Sequence, residues 1–115
     1  MSQVRPWQVW LVDFGQPAGH EQGGIRPAVV VASDLHCRFP IDMTLVLPLT
    51  SADRGLPHHV PVGSSGAGLD RHSWVRTEDV TAISTTRLMS PRPLGQLSRS
   101  EVEAVQSWLR RMLAL

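Results

Sequence analysis

Hydrophobic and polar positions fall in short blocks along this chain, and only the last block has the spacing of a helix. Residues 7–13, Trp-Gln-Val-Trp-Leu-Val-Asp, are apolar on both faces and end in a carboxylate, which predicts a first strand. A loop rich in glycine follows over residues 14–24. Residues 27–32 are a continuous, β-branched run, the pattern of a strand buried on both sides. A connection over 33–41 leads to a third strand at 43–47. Pro48 limits ladder pairing there, so residues 49–51 are expected to leave the sheet. A turn at 53–55, a short strand at 58–62, a flexible loop at 63–68 and strands at 73–76 and 80–83 follow. Residues 86–88 read as a turn, and 94–97 can close the sheet.

The final block is different. Ser98-Arg99-Ser100-Glu101 is a capping box, and Val102, Val105, Leu109 and Met112 recur on one helical face. Arg110 and Arg111 lie near the C-terminal end, where the helix dipole favours cations. Short strands plus one terminal helix predict a mainly β fold, a small barrel or curled sheet with the helix packed against it.

Bulk properties narrow the class. With 115 residues, 1–115 reads as one domain, and 42% hydrophobic content fits an ordinary globular protein. No apolar run approaches the ~20 residues of a membrane span, and no signal-peptide pattern opens the chain. The single Cys37 forms no internal disulfide and fits a reducing cytoplasm, where it reads as a small packing residue. A net charge of +1 excludes a strongly basic, whole-surface nucleic-acid binder. The distribution is uneven, however. Residues 71–115 hold seven arginines against four acids, which leaves room for a local basic groove.

The richest chemistry lies at Gly19-His20-Glu21-Gln22-Gly23-Gly24-Ile25-Arg26. A flexible polar loop runs into one arginine at the mouth of an apolar strand. A guanidinium on a rigid element, beneath a loop, suits a phosphate or carboxylate because its forked donors bond two oxygens at once. A surface ion pair is the plainer alternative. His58, His59 and His72 lack the acidic or cysteine spacing of a metal site, so no metal and no cofactor is expected.

Taken in order, residues 9–13, 19–24, 26–31, 48–51, 70–75 and 83–88 with the terminal helix resemble the MazF/PemK family of bacterial toxins. The resemblance implies an SH3-like small β-barrel, a homodimer with a groove at its interface, and metal-independent cleavage of single-stranded RNA. It also implies a cognate antitoxin whose disordered tail fills that groove. The chemistry so implied is attack of the ribose 2′-OH, leaving a 2′,3′-cyclic phosphate and a 5′-OH.

On that resemblance Arg26 corresponds to the catalytic arginine and Thr50 to the catalytic threonine, with Ser51 as a second contact. His20 is a candidate for proton transfer or RNA contact. Arg76 with Glu78 corresponds to the acid and base of one branch, with Glu78 one methylene longer than the usual aspartate. Asp79 stands where glutamine is common. An Arg76–Glu78 ion pair across alternate positions of one strand is the competing account. Gly19, Glu21 and Gln22 are expected to contact RNA, and Trp74 is the best stacking candidate, while Trp10 and Trp108 read as core. Two other functions remain in view. A gyrase inhibitor of the CcdB type shares the fold but depends on a C-terminal Trp-Gly-Ile, whereas this sequence ends Met112-Leu113-Ala114-Leu115. A catalytically silent RNA-binding dimer is the other.

Overall fold

The computed structural model describes residues 4–16, 19, 23–63 and 65–115. Among the described residues, seven strands and two α-helices follow one another: β1 (Gln8–Asp13), β2 (Ile25–Val30), α1 (Asp34–Arg38), β3 (Met43–Thr50), β4 (His59–Val62), β5 (Ser73–Arg76), β6 (Thr81–Ser84), β7 (Gly95–Gln96) and α2 (Arg99–Met112). The strands run in the order β4-β5-β3-β2-β1-β7, with β6 also paired to β3, and every pairing is antiparallel. Mainly β with a C-terminal helix is therefore the observed class. None of the helices among the described residues is long and apolar enough to cross a membrane.

Strands β1 and β2 are buried on both faces over most of their length, as their apolar runs predict, and so is β3. Val9, Val29, Leu47 and Leu49 join Val60, Val62, Val75 and Val105 in one core cluster, against which Val102, Trp108 and Leu109 of α2 pack. Trp10, Val12, Ala28, Val30 and Val46 point the other way, into a second cluster with Val4, Ala32 and Ile83. This division follows from the two-residue period of side chains along a strand. Trp10 is core as expected, whereas Trp108 is only half-buried at its margin.

Two expectations need correction. The connection over 33–41 contains a one-and-a-half-turn helix, α1, whose N-cap Ser33 accepts from the His36 N–H. Its periodicity is too short to register in a sequence pattern. More consequentially, β3 does not stop at Pro48. Its pairing with β2 ends at Ala28–Pro48, and Leu49 and Thr50 then pair with Val75 and Trp74 of β5. Proline removes one ladder donor, yet a strand changing partners needs no continuous ladder on that edge. Pro48 thus marks where β3 parts from β2 and joins β5, which pairs in turn with β4.

Helix α2 begins on the predicted capping box. Ser98 Oγ accepts from the Glu101 N–H at 3.3 Å, and Glu101 Oε1 accepts from the Ser98 N–H at 2.9 Å. The second oxygen of Glu101 accepts from the Gly63 N–H at 3.1 Å. One nearly buried carboxylate thereby ties the helix start to the loop after β4, in addition to its contribution as a cap.

Candidate active site

The parting of β2 from β3 opens an exposed-rimmed pocket of about 430 Å³, within the range of small-ligand sites. Arg26 and Thr50 both line it, together with Ser51, Asp70, Arg71 and Ser73, over an apolar floor that includes Leu11 and Leu49. The first three of these residues were singled out by the sequence and the fold brings them together. Register explains why: continued two residues past Ala28–Pro48, the β2–β3 ladder would set Arg26 opposite Thr50. The two side chains therefore share a face, but no ladder hydrogen bonds close the gap between their strands.

Arg26 sits next to the start of β2, opposite Val12 of β1. Its Nε donates to the Gly23 carbonyl at 2.7 Å, which fixes the plane of the guanidinium. Among the described residues its terminal amino groups make no hydrogen bond or ion pair, and a guanidinium so placed can present its fork to a ligand. Thr50 is 8% exposed, and its Oγ1 accepts from the Ala52 N–H at 3.2 Å. With one lone pair occupied, the hydroxyl keeps its hydrogen available to donate.

Asp70, Arg71 and Ser73 carry no role in the sequence reading, although residues 70–75 belong to the stretch that carries the resemblance. They reach the pocket because residues 68–72 lead into β5, which lies against the end of β3. A signal was present in the adjacent Asp70-Arg71 pair. Sequence separation from Arg26 hid it. Gly68 shapes the wall: it has φ +72°, and a Cβ there would collide with the Leu94 carbonyl.

Arg76, Glu78, Asp79 and Trp74 do not line this pocket. Arg76 Nε donates to Glu78 Oε2 at 3.2 Å, and its Nη1 lies 3.7 Å from Asp79 Oδ2. The competing ion pair thus exists, although Glu78 occupies the turn after β5 and not a second strand position. Asp79 Oδ1 also accepts from the Thr81 hydroxyl at 3.0 Å. Glu78 meets two imidazoles besides: Nε2 of His59 at 3.2 Å and Nε2 of His58 at 3.4 Å, each from Oε1. Partial burial alone would raise the Glu78 pKa. A bond from its own backbone N–H, the His59 hydrogen bond, and the charges of His59 and Arg76 outweigh that and hold it below the ordinary 4.5. Trp74 is half-buried, paired across β3 with Thr50, and its ring meets His72 edge-on at 4.8 Å. Gly19 is exposed and adopts φ +60°. His20, Glu21 and Gln22 lie outside the described residues.

A curled antiparallel sheet backed by one terminal helix, with a guanidinium and a hydroxyl lining one pocket at the point where two strands part, defines a small β protein. Its membership is specific: the chain belongs to the family of PemK-like, MazF-like toxins of type II toxin–antitoxin systems, whose profile matches residues 5–113. It is 30% identical over 117 residues to endoribonuclease MazF9 of Mycobacterium tuberculosis, covering 97% of this chain and 98% of that protein. Endoribonuclease EndoA of Bacillus subtilis is 28% identical, covering 97% and 96% of the two chains. The crystal structure of MazF from Deinococcus radiodurans superposes with a TM-score of 0.82 over 97% of each chain at 22% identity, and so shares the fold, an SH3-like small barrel.

Proposed function

We propose that this chain is the toxin of a toxin–antitoxin pair and cleaves single-stranded RNA without a metal, residues 1–115 acting as one domain. The observation that carries the reading is the convergence of Arg26 and Thr50 on one pocket. The pocket takes the scissile phosphate. The ribose 2′-OH attacks phosphorus, its proton leaves to a base, and the 5′-oxygen departs with a proton, giving a 2′,3′-cyclic phosphate and a 5′-OH. Charge on the non-bridging oxygens grows along this path. Arg26 meets it with a preorganised fork, and the Thr50 hydroxyl donates to one of the same oxygens. Arg71 adds a second cation at the rim, with Ser51 and Ser73 as further hydroxyls. Asp70, the one carboxylate among the described lining residues, repels a second phosphate and offers an acceptor to ribose or base.

His20 is assigned proton transfer, since an imidazole titrates near neutral pH whereas a guanidinium stays charged. Gly19, Glu21 and Gln22 contact the RNA from the same loop, and Trp74 stacks on a base flanking the cut. Arg76 is bound to Glu78, and Glu78 also to His59, so they receive no proton transfer in this reading. The chain works as a homodimer in the cytoplasm, and a cognate antitoxin blocks the groove, as the family's two-component organisation implies.

The test is incubation of the purified protein with a pool of single-stranded RNAs in EDTA, followed by sequencing of the new ends. Recurrent cuts bearing 5′-OH termini support the reading. Intact RNA, or cleavage only after a metal is supplied, refutes it.

A further inference from the structure

The fold supplies the carboxylate that the spacing of His58 and His59 lacks along the chain. We propose that His58, His59 and Glu78 form a binding site for a divalent transition metal of the zinc class, separate from the Arg26–Thr50 pocket. The Nε2 atoms of His58 and His59 lie 3.4 and 3.2 Å from the same oxygen, Oε1 of Glu78. One ligand atom from each of the three residues fits within a span of 4.8 Å. A tetrahedral zinc ion with ligands at ~2.0–2.1 Å sets its donors ~3.3 Å apart, so both imidazole–carboxylate separations already match that edge.

The donors are held in place. His59 opens β4 opposite Arg76 and its side chain is 3% exposed. Among the described residues its Nδ1 is buried without a partner, which leaves Nε2 as the polar outlet of the ring. The ring of His58 packs edge-on against that of His59, with centroids 4.8 Å apart, and against Trp108 of α2 at 6.3 Å. Arg111 covers the Trp108 ring at 4.7 Å. Glu78 keeps its second oxygen on Arg76 Nε, the kind of outer contact that orients a metal-binding carboxylate.

Donor chemistry selects the ion. Two imidazole nitrogens and one carboxylate oxygen suit zinc, nickel or copper, whereas magnesium and calcium favour oxygen alone. The carboxylate is 34% and the His58 side chain 21% exposed, so a fourth position faces solvent, as in three-ligand zinc sites. The positive charge of Arg76 lowers the affinity, which makes the site an exchangeable one. No phosphate chemistry is routed through it, and its occupancy is separable from RNA cleavage in EDTA.

The experiment titrates the EDTA-stripped, buffer-exchanged protein with Co²⁺, reading visible absorption, and then with Zn²⁺. One Co²⁺ per chain with the intense bands of tetrahedral cobalt, displaced by Zn²⁺, is the expected result. Buried His59 is left intact. The bands disappear in Glu78→Gln and in His58→Ala while circular dichroism shows both variants folded, and they persist in His72→Ala. Absence of tetrahedral bands in the parent protein, or bands retained in both folded variants, overturns the proposal. Because the readout is metal uptake, its failure leaves the nuclease reading standing, and loss of nuclease activity leaves the metal site standing.

Discussion

Arg26 and Thr50 occupy matching positions on two strands that have just separated, two residues beyond the last β2–β3 pair at Ala28–Pro48. Neighbouring strands lie ≈ 4.7–4.9 Å apart while paired, and just past the end of that pairing both side chains line one pocket. The pocket lies where the β2–β3 pairing ends at Pro48.

Arg26→Ala is expected to lower kcat for RNA cleavage by roughly 10²–10³, the effect of removing one preorganised donor at a developing charge. Arg26→Lys keeps the charge but loses the fork held by Gly23, so it should recover only a small part. Single-turnover rates on a short RNA, with thermal melting as the folding control, check both. Full recovery by lysine would show that charge alone suffices.

Thr50→Ser retains the hydroxyl, and Thr50→Val retains the shape without it. Hydrogen bonds to charged groups contribute ≈ 1.5–3 kcal/mol, so valine should slow cleavage by roughly 10- to 150-fold while serine stays near the parent rate. Equal losses in the two variants would assign Thr50 a packing role.

Gly68→Ala should destabilise the fold by about 1–3 kcal/mol, since the position is left-handed and its Cβ has no room beside Leu94. Urea unfolding measures it. Gly55→Ala, also at positive φ (+64°) but with open space around it, should cost less. An equal cost at both sites would remove the close approach as the cause.

Burial, with the charge of Asp34 acting in the same direction and Arg5 opposing, raises the Cys37 thiol above its ordinary 9.0. The folded protein then holds the proton more tightly than the unfolded chain. The contribution is fully present below pH 9.0 and is lost as pH rises through the folded value. Alkylation by iodoacetamide should be slower than that of an unfolded peptide carrying the same residues, with its pH midpoint displaced upward. Alkylation as fast as in the peptide would contradict the burial.

Much of this was legible in the sequence, and the exceptions share a cause. Local patterns carried β1, β5 and α2: apolar runs and a capping box are written in consecutive residues. Arg26 and Thr50 were legible as motif positions, but their meeting depends on register between two strands. The switch at Pro48 was missed because a proline reads as an ending when only its own strand is considered, whereas β5 offered a new partner. Asp70 and Arg71 lie far from Arg26 in sequence, and Glu78 lies 19 residues from His59. Proximity produced by folding leaves no periodicity to read.

The most direct measurement of the central claim is a crystal structure of the protein with a cleavable-site RNA carrying a 2′-deoxy or 2′-O-methyl ribose at the cut. The account places the phosphate at that position within hydrogen-bond reach of both the Arg26 guanidinium and the Thr50 hydroxyl. A bound strand whose phosphate lies instead beside Arg76 and Glu78, with the Arg26–Thr50 pocket empty, would contradict it.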